Sequence, residues 1–226
     1  MPTWPVRLYE WLLELVFPDR CAGCGGEGGL LCPACRAGLR PYPPEGPTPG
    51  LDGMAVAWLY DGAVRRAVHS LKYRRRRRVA EALGDALAAS LAPPPADALV
   101  PVPLHGERLA ERGFNQAEEL ARRLAYRWGL PVRAAGLARA RDTGHQARLS
   151  RAERQTNVAG AFVWAGEGPP PARALLVDDV LTTGATLAAC ADALRAAGSR
   201  EVRAVALARS LAPGRTGHAT MQGVER

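Results

Sequence analysis

The stretch Ala174-Leu-Leu-Val-Asp-Asp-Val-Leu-Thr-Thr-Gly-Ala-Thr186 decides how this chain folds. The four apolar residues 174–177 fit a strand buried on both faces, as in a parallel sheet with helices on either side. Asp178 and Asp179 follow at once, then a hydroxyl-rich turn with Gly184, then an Ala-rich stretch over 187–197 of helical composition. A strand therefore delivers acid groups to a helix N-terminus, and a ligand belongs beyond the strand's carboxyl end. Unpaired N–H groups and the positive end of the helix favour a phosphate there, with the hydroxyls of Thr182, Thr183 and Thr186 as further donors. The two aspartates repel a phosphate. They suit the hydroxyls of a vicinal diol, or a divalent cation. A terminal phosphate beside two adjacent hydroxyls describes a ribose 5-phosphate.

This segment resembles the signature of the type I phosphoribosyltransferases, which bind phosphoribosyl pyrophosphate (PRPP). The resemblance implies an α/β fold, a type I phosphoribosyltransferase-like parallel sheet flanked by helices. It also implies roles: Asp178 and Asp179 on the ribose 2- and 3-hydroxyls, Leu181, Thr182, Thr183, Gly184, Ala185 and Thr186 around the 5-phosphate, and Mg²⁺ arriving with PRPP.

Outward from the signature, strands are expected at 54–60, 98–102, 132–138, 161–164 and 202–207. Helices are expected where Val64, Val68 and Leu71 share one face, where Val79, Leu83, Leu87 and Leu91 share another, and over 107–128. Alternating strands and helices give a parallel sheet with ligands at its carboxyl edge. The main domain is expected over 51–210, with 51–95 as a hood-like part, and 211–226 as a flexible tail. Pro103 and Leu104, just after the strand at 98–102, stand where this fold places a pyrophosphate loop. The polar stretch 139–157 is dense in donors, and its Arg141 and Gln146 resemble a loop pattern of PRPP amidotransferases, which implies closure over pyrophosphate, with Arg141 a catalytic candidate beside Asp178 and Asp179.

The 226 residues carry 30 basic and 22 acidic side chains, a formal charge of +8, which favours polyanionic partners as a general field. Lys72 is the single lysine, in a chain where arginine is the default cation. It opens the run Lys72-Tyr73-Arg74-Arg75-Arg76-Arg77-Arg78, a candidate track for a single-stranded nucleic-acid backbone with Tyr73 stacking a base. A solvated arginine-rich loop is the competing reading. No apolar run reaches membrane-spanning length and no basic leader is evident, so a soluble cytoplasmic protein without a membrane span is expected.

Cys21, Cys24, Cys32 and Cys35 form two Cys-x-x-Cys turns, with Gly25, Gly26, Gly28 and Gly29 allowing a tight reversal between them. Thiolates two residues apart face one ion from a single turn, and two such pairs complete a tetrahedron around structural Zn²⁺. Disulfides are the alternative, and fit an exported domain better than a cytosolic one. A small N-terminal four-cysteine zinc module over 1–40 is therefore expected, with an amphipathic helix at 4–17 leading in and a Pro-rich linker at 41–50 leading out. Cys190, alone in an Ala-rich helix, reads as a small buried residue.

Taken in order, the Leu-Leu-Glu-Leu-Val-Phe-Pro segment before Cys-x-x-Cys, Leu71-Lys-Tyr-Arg74, Pro101-Val-Pro-Leu104, Arg112-Gly-Phe-Asn-Gln116, the 139–157 loop and the signature resemble the ComF family of competence proteins. That resemblance implies a PRPP-binding domain serving uptake of single-stranded DNA in natural transformation, with a competence helicase as partner. The other reading is an active phosphoribosyltransferase that passes the sugar to a nucleobase or amine and releases pyrophosphate.

Overall fold

The computed structural model describes residues 19–44, 46–72, 77–140 and 160–210. The expected helix at 4–17, the residues Tyr73, Arg74, Arg75 and Arg76, the loop residues Arg141, His145 and Gln146, and the tail 211–226 lie outside them.

After a short helix α1 (Pro33–Ala37) the described chain runs β1 (Gly53–Leu59), α2 (Gly62–Lys72), α3 (Arg77–Ser90), β2 (Ala98–Pro101), α4 (Gly106–Arg112) and α5 (Gln116–Trp128). It continues with β3 (Leu137–Arg139), β4 (Phe162–Trp164), β5 (Arg173–Leu181), α6 (Ala185–Ala196) and β6 (Glu201–Arg209). The main sheet has the order β1-β6-β5-β2, with every neighbouring pair parallel. β5 is thus an inner strand, and Leu175, Leu176 and Val177 are fully buried. Alternation along it divides the core. Leu175 and Val177 pack with Leu99, Val205 and Leu207 on the side of α2, α3 and α5. Ala174 and Leu176 pack with Val100, Ala204 and Ala206 on the side of α6. Each buried Leu or Val contributes roughly 1.5–3 kcal/mol of transfer free energy, so β5 anchors both layers.

Four local expectations are corrected by tertiary pairing. The signature strand does not stop at residue 177: it runs to Leu181, because β6 stays alongside it with Asp178 opposite Ala206 and Leu181 opposite Arg209. The helix behind it starts at Ala185 rather than 187. The helix expected over 107–128 breaks into α4 and α5, because Gly113 takes φ 76° and ends the first with its N–H on the Leu109 carbonyl. The strand expected over 132–138 is mostly irregular. Val132 makes one parallel bridge to Leu99, and only β3 forms regular structure, paired antiparallel with β4 in a separate ladder.

That small ladder is built around Trp164. A Cβ at Gly136 would stand 2.5 Å from the indole and one at Gly166 would stand 2.6 Å from it, so both positions need glycine. β3 and β4 also form the stems of the 141–159 segment, with Arg139 opposite Phe162, and Leu137 and Phe162 pack in the α6 layer. β3 and β4 therefore stand beside the helix of the signature.

Residues 51–95, read as a hood, contribute β1 to the main sheet and α2 and α3 to one of its faces. The Pro-rich 41–50 segment begins by lying along β1. The Leu59 N–H donates to the Arg40 carbonyl, the Tyr42 N–H donates to the Ala57 carbonyl, and Arg40 pairs with Asp61 at 2.7 Å. A strand that would otherwise present a bare edge is thereby covered.

Candidate functional site

Parallel strands bring their carboxyl ends to one side of the sheet, and there the β5–α6 turn meets the β2–α4 loop. Gly184 holds φ 81° at the helix N-cap, a left-handed conformation that costs other residues strain. The N-cap residue Gly184 has no side chain to cap α6, so beyond the Ala185 N–H the first turn presents N–H groups that suit an anion. Thr182 is exposed, while Thr183, Gly184, Ala185 and Thr186 are half-buried, and the Thr183 hydroxyl takes the Ala185 N–H at 3.4 Å. The geometry of this turn suits an anion.

Beside it, the Val102 N–H donates to the Val177 carbonyl, so Pro103 and Leu104 emerge directly next to the acids of β5. Asn115 fixes that loop: its Nδ2 donates to the Val102 carbonyl at 2.9 Å while its Oδ1 caps α5 through the Ala117 N–H. By position at the start of a helix, Arg108, Arg112, Asn115 and Gln116 suit an anion or open water. Asn115 instead ties the loop to the helix, and Gln116 is 2% exposed, with its Nε2 lacking a partner among the described residues.

The period of a strand sends adjacent side chains to opposite faces, which separates the two aspartates. Asp178 lies on the α6 side. Burial, reinforced by the charge of Asp179, pushes its carboxyl well above the usual carboxylate range, against the pull of the Asp179 N–H, which it accepts at 2.8 Å, and of Lys72. Its charge in turn raises the thiol of Cys190, which burial already pushes up, while Arg139 opposes that rise. Cys190 is fully buried, as the sequence reading expected. Asp179 lies on the α2 side. Its Oδ1 accepts the Val180 N–H at 2.8 Å and its Oδ2 is 3.5 Å from the Lys72 ammonium. A buried carboxylate next to a second one is costly, and such strain marks ligand sites.

The pairing of Lys72 with Asp179 was missed by sequence reasoning, which grouped Lys72 with the arginine run. Its signal was present, since this is the one position where lysine replaces arginine. Of the other cations in that run, Arg77 pairs with Glu119 at 2.7 Å and stacks 5.6 Å from Phe114, and Arg78 pairs with Asp19 at 3.0 Å.

A second constellation lies on the far side of α2. The sulfurs of Cys21, Cys24, Cys32 and Cys35 all fall within 4.8 Å of one another, and those of Cys24 and Cys32 are 3.7 Å apart. Zn–S bonds of about 2.3 Å in a tetrahedron set sulfurs roughly 3.8 Å apart, so this spacing suits zinc. The donors also fit electrically. Burial works against ionisation of Cys21, but N–H donors from Cys32, Cys24 and Gly23 outweigh it and bring the thiol down to about 6. Burial and the other three thiols push Cys35 up to about 12. Four such sulfurs are held together as thiolates only by a cation.

The centre is welded to the main domain. Cys21, Ala22, Leu31, Cys32 and Cys35 share a core cluster with Trp58, Ala63 and Ala67. The Nε of Arg66 on α2 donates to the Gly23 carbonyl inside the first knuckle. A Cβ at Gly23 would stand 2.8 Å from the Cys35 sulfur and 3.2 Å from the Ala63 Cβ, which explains a glycine between the first two ligands.

Two family models match the chain. The family model described as "Phosphoribosyl transferase domain" matches residues 109–219, and that described as "Double zinc ribbon domain" matches residues 12–48. A protein from Salmonella typhi named DNA utilization protein YhgH is 32% identical over 224 residues, 92% of this chain and 94% of its own length. Competence protein F from Haemophilus influenzae is 37% identical over 116 residues, 50% of this chain and 51% of its own. Among solved structures, a glutamine PRPP amidotransferase from B. subtilis, complexed with ADP and GMP, aligns with a TM-score of 0.43 and 23% identity over 62% of this chain and 30% of that one, a likeness too loose to argue from.

Proposed function

Since the chain belongs to the ComF family of competence proteins, we propose that it binds PRPP or a related phosphosugar at the carboxyl edge of its sheet, in the service of handling single-stranded DNA during natural transformation. The observation that supports this reading most is the convergence at one edge of a helix N-terminus with a glycine N-cap, two carboxylates and the Pro103-Leu104 loop. The 5-phosphate sits on the turn from Leu181 to Thr186, the ribose hydroxyls donate to Asp178 and Asp179, and the pyrophosphate lies against Pro103 and Leu104. Arg141 and Gln146, on the loop that springs from β3 and β4, close over it. Mg²⁺ travels with the pyrophosphate and neutralises part of its charge. The zinc centre is structural, and four cysteines held for a metal rather than in disulfides favour a reducing compartment such as the cytoplasm. No described helix is long and apolar enough to cross a membrane.

The role in DNA uptake rests on the relatives, one named for DNA utilization and another for competence. Single-stranded DNA and a competence helicase are the partners this role calls for, with Tyr73, Arg74, Arg75 and Arg76 as the candidate contact, Lys72 being engaged by Asp179. The match to a phosphoribosyl transferase domain favours a second reading, catalysis. Here the bond from the anomeric carbon to pyrophosphate breaks, pyrophosphate departs with the electron pair, and a nucleobase or amine attacks the oxocarbenium-like carbon and loses its proton. Titration calorimetry with PRPP tests the common premise: saturable binding that disappears in the Asp178→Asn, Asp179→Asn double variant is expected, and no binding to the wild type refutes both readings. Pyrophosphate release across a panel of bases and amines then separates binder from enzyme.

A further inference from the structure

We infer that Lys72 is the resident counter-cation of the signature acids, filling at the diol carboxylates the place a divalent metal would otherwise take; the inference rests on the phosphosugar reading above. Three observations carry it. The ammonium is 3.5 Å from Asp179 Oδ2, and the two side chains are only 28% and 16% exposed, so this is not a solvated surface pair. Its charge also reaches Asp178, where it opposes the upward push of burial and of Asp179. Finally, Lys72 is the single lysine of the chain.

The last point has a physical reading. A guanidinium is a planar fork that spreads its charge and demands paired acceptors, whereas an ammonium is a compact, strongly hydrated point charge with donors in three directions. Only the second resembles a small metal ion in size and charge density. Placed at the last turn of α2, it is also on the helix end that favours a cation. With the lysine in place the acid pair carries one negative charge fewer, which weakens the attraction for Mg²⁺ at this point. The lysine holds Asp179 as an acceptor for a ribose hydroxyl, and Mg²⁺ is left to the pyrophosphate alone.

The test measures PRPP and ribose 5-phosphate affinities by calorimetry in Mg²⁺ and in EDTA, for wild type, Lys72→Gln and Lys72→Arg, with circular dichroism as the check on folding. Ribose 5-phosphate lacks the pyrophosphate, so its binding reports on the acid pair. In wild type its affinity should change less than about threefold between Mg²⁺ and EDTA; in Lys72→Gln it should fall about tenfold or more without the metal, the loss of one charge contact worth roughly 1.4 kcal/mol. Lys72→Arg, which keeps the charge but not the point geometry, should fall between. Mn²⁺ binding followed by electron paramagnetic resonance gives a ligand-free readout: the acids of Lys72→Gln should gain Mn²⁺ affinity over wild type. Equal metal dependence of wild type and Lys72→Gln, with no gain in Mn²⁺ binding, overturns the inference while leaving the phosphosugar site standing. Wild type that binds neither sugar overturns the phosphosugar reading and this inference with it.

Discussion

Replacing the two aspartates singly should have opposite effects on stability and the same effect on binding. Asp178→Asn keeps an Oδ1 acceptor for the Asp179 N–H but removes a carboxyl that burial and a neighbouring charge hold well above its ordinary pKa of 3.8. Below that ordinary value both folded and unfolded states are protonated. As pH rises above it, the unfolded chain releases the proton while the folded one retains it, so the folded state binds more protons. Unfolding free energy then falls with pH by up to about 1.4 kcal/mol per unit, until the folded carboxyl also ionises. Asp178→Asn deletes that slope and should leave the ligand-free protein more stable than wild type at pH 8. Asp179→Asn does the reverse, because it strands Lys72. At 3.5 Å and an effective dielectric of about 20 the pair is worth about 5 kcal/mol of gross attraction. Desolvation and the fixed rotamers of lysine remove most of this, leaving a destabilisation on the order of 1–2 kcal/mol. Urea unfolding from pH 4 to 8, with and without PRPP, reads all three quantities. Wild type at a hundredfold excess over Kd should gain about 2.7 kcal/mol from the ligand, and neither variant should gain it. An Asp178→Asn protein less stable than wild type at pH 8, or one with an unchanged pH slope, refutes the placement of that carboxyl in a buried like-charged pair.

Three further outcomes follow from the packing. Metal analysis should read a single zinc equivalent in the wild type and none in Cys21→Ser with Cys32→Ser, whose melting temperature should fall across the whole domain because these cysteines share a core with Trp58 and Ala67; unchanged zinc content contradicts the four-cysteine centre. Gly136→Ala should cost roughly 1–3 kcal/mol in denaturant, since its Cβ would enter the Trp164 ring at 2.5 Å, and the tryptophan fluorescence should shift with it. Leu176→Ala, on a fully buried position beneath α6, should cost roughly 2–5 kcal/mol, and a smaller loss argues against its burial in the inner strand.

Much of this architecture was legible in the chain because its signals are local. A run of Leu and Val before two acids, a glycine turn and an alanine-rich segment specify strand, turn and helix within neighbouring residues, and the structure places β5 and α6 there. Boundaries were less legible. β5 extends through both aspartates because β6 supplies hydrogen-bond partners to Leu181, and nothing in the residues 178–181 announces that neighbour. The break at Gly113 carried a signal, a glycine within a helical pattern, that periodicity alone overrode. The stretch 132–138 looked like a strand by composition, but the close approach of Gly136 to Trp164 shapes it as a turn before a short ladder.

The sequence by itself determined the chemistry on offer: two acids at a strand end, hydroxyls at a helix N-terminus, and thiols in two pairs. Period-two geometry even dictates that Asp178 and Asp179 face opposite ways. What lies on each face was decided only by tertiary packing, because helices distant in sequence settle where their apolar stripes find the sheet. On the side where Cys190 of α6 feels its charge, burial and Asp179 push Asp178 well above the usual carboxylate range, whereas α2 brings Lys72 to Asp179. The same helix holds the cysteine knuckle through Arg66. One helix thus joins the zinc centre to the acid pair, a connection that arises in three dimensions and has no counterpart in the order of the residues.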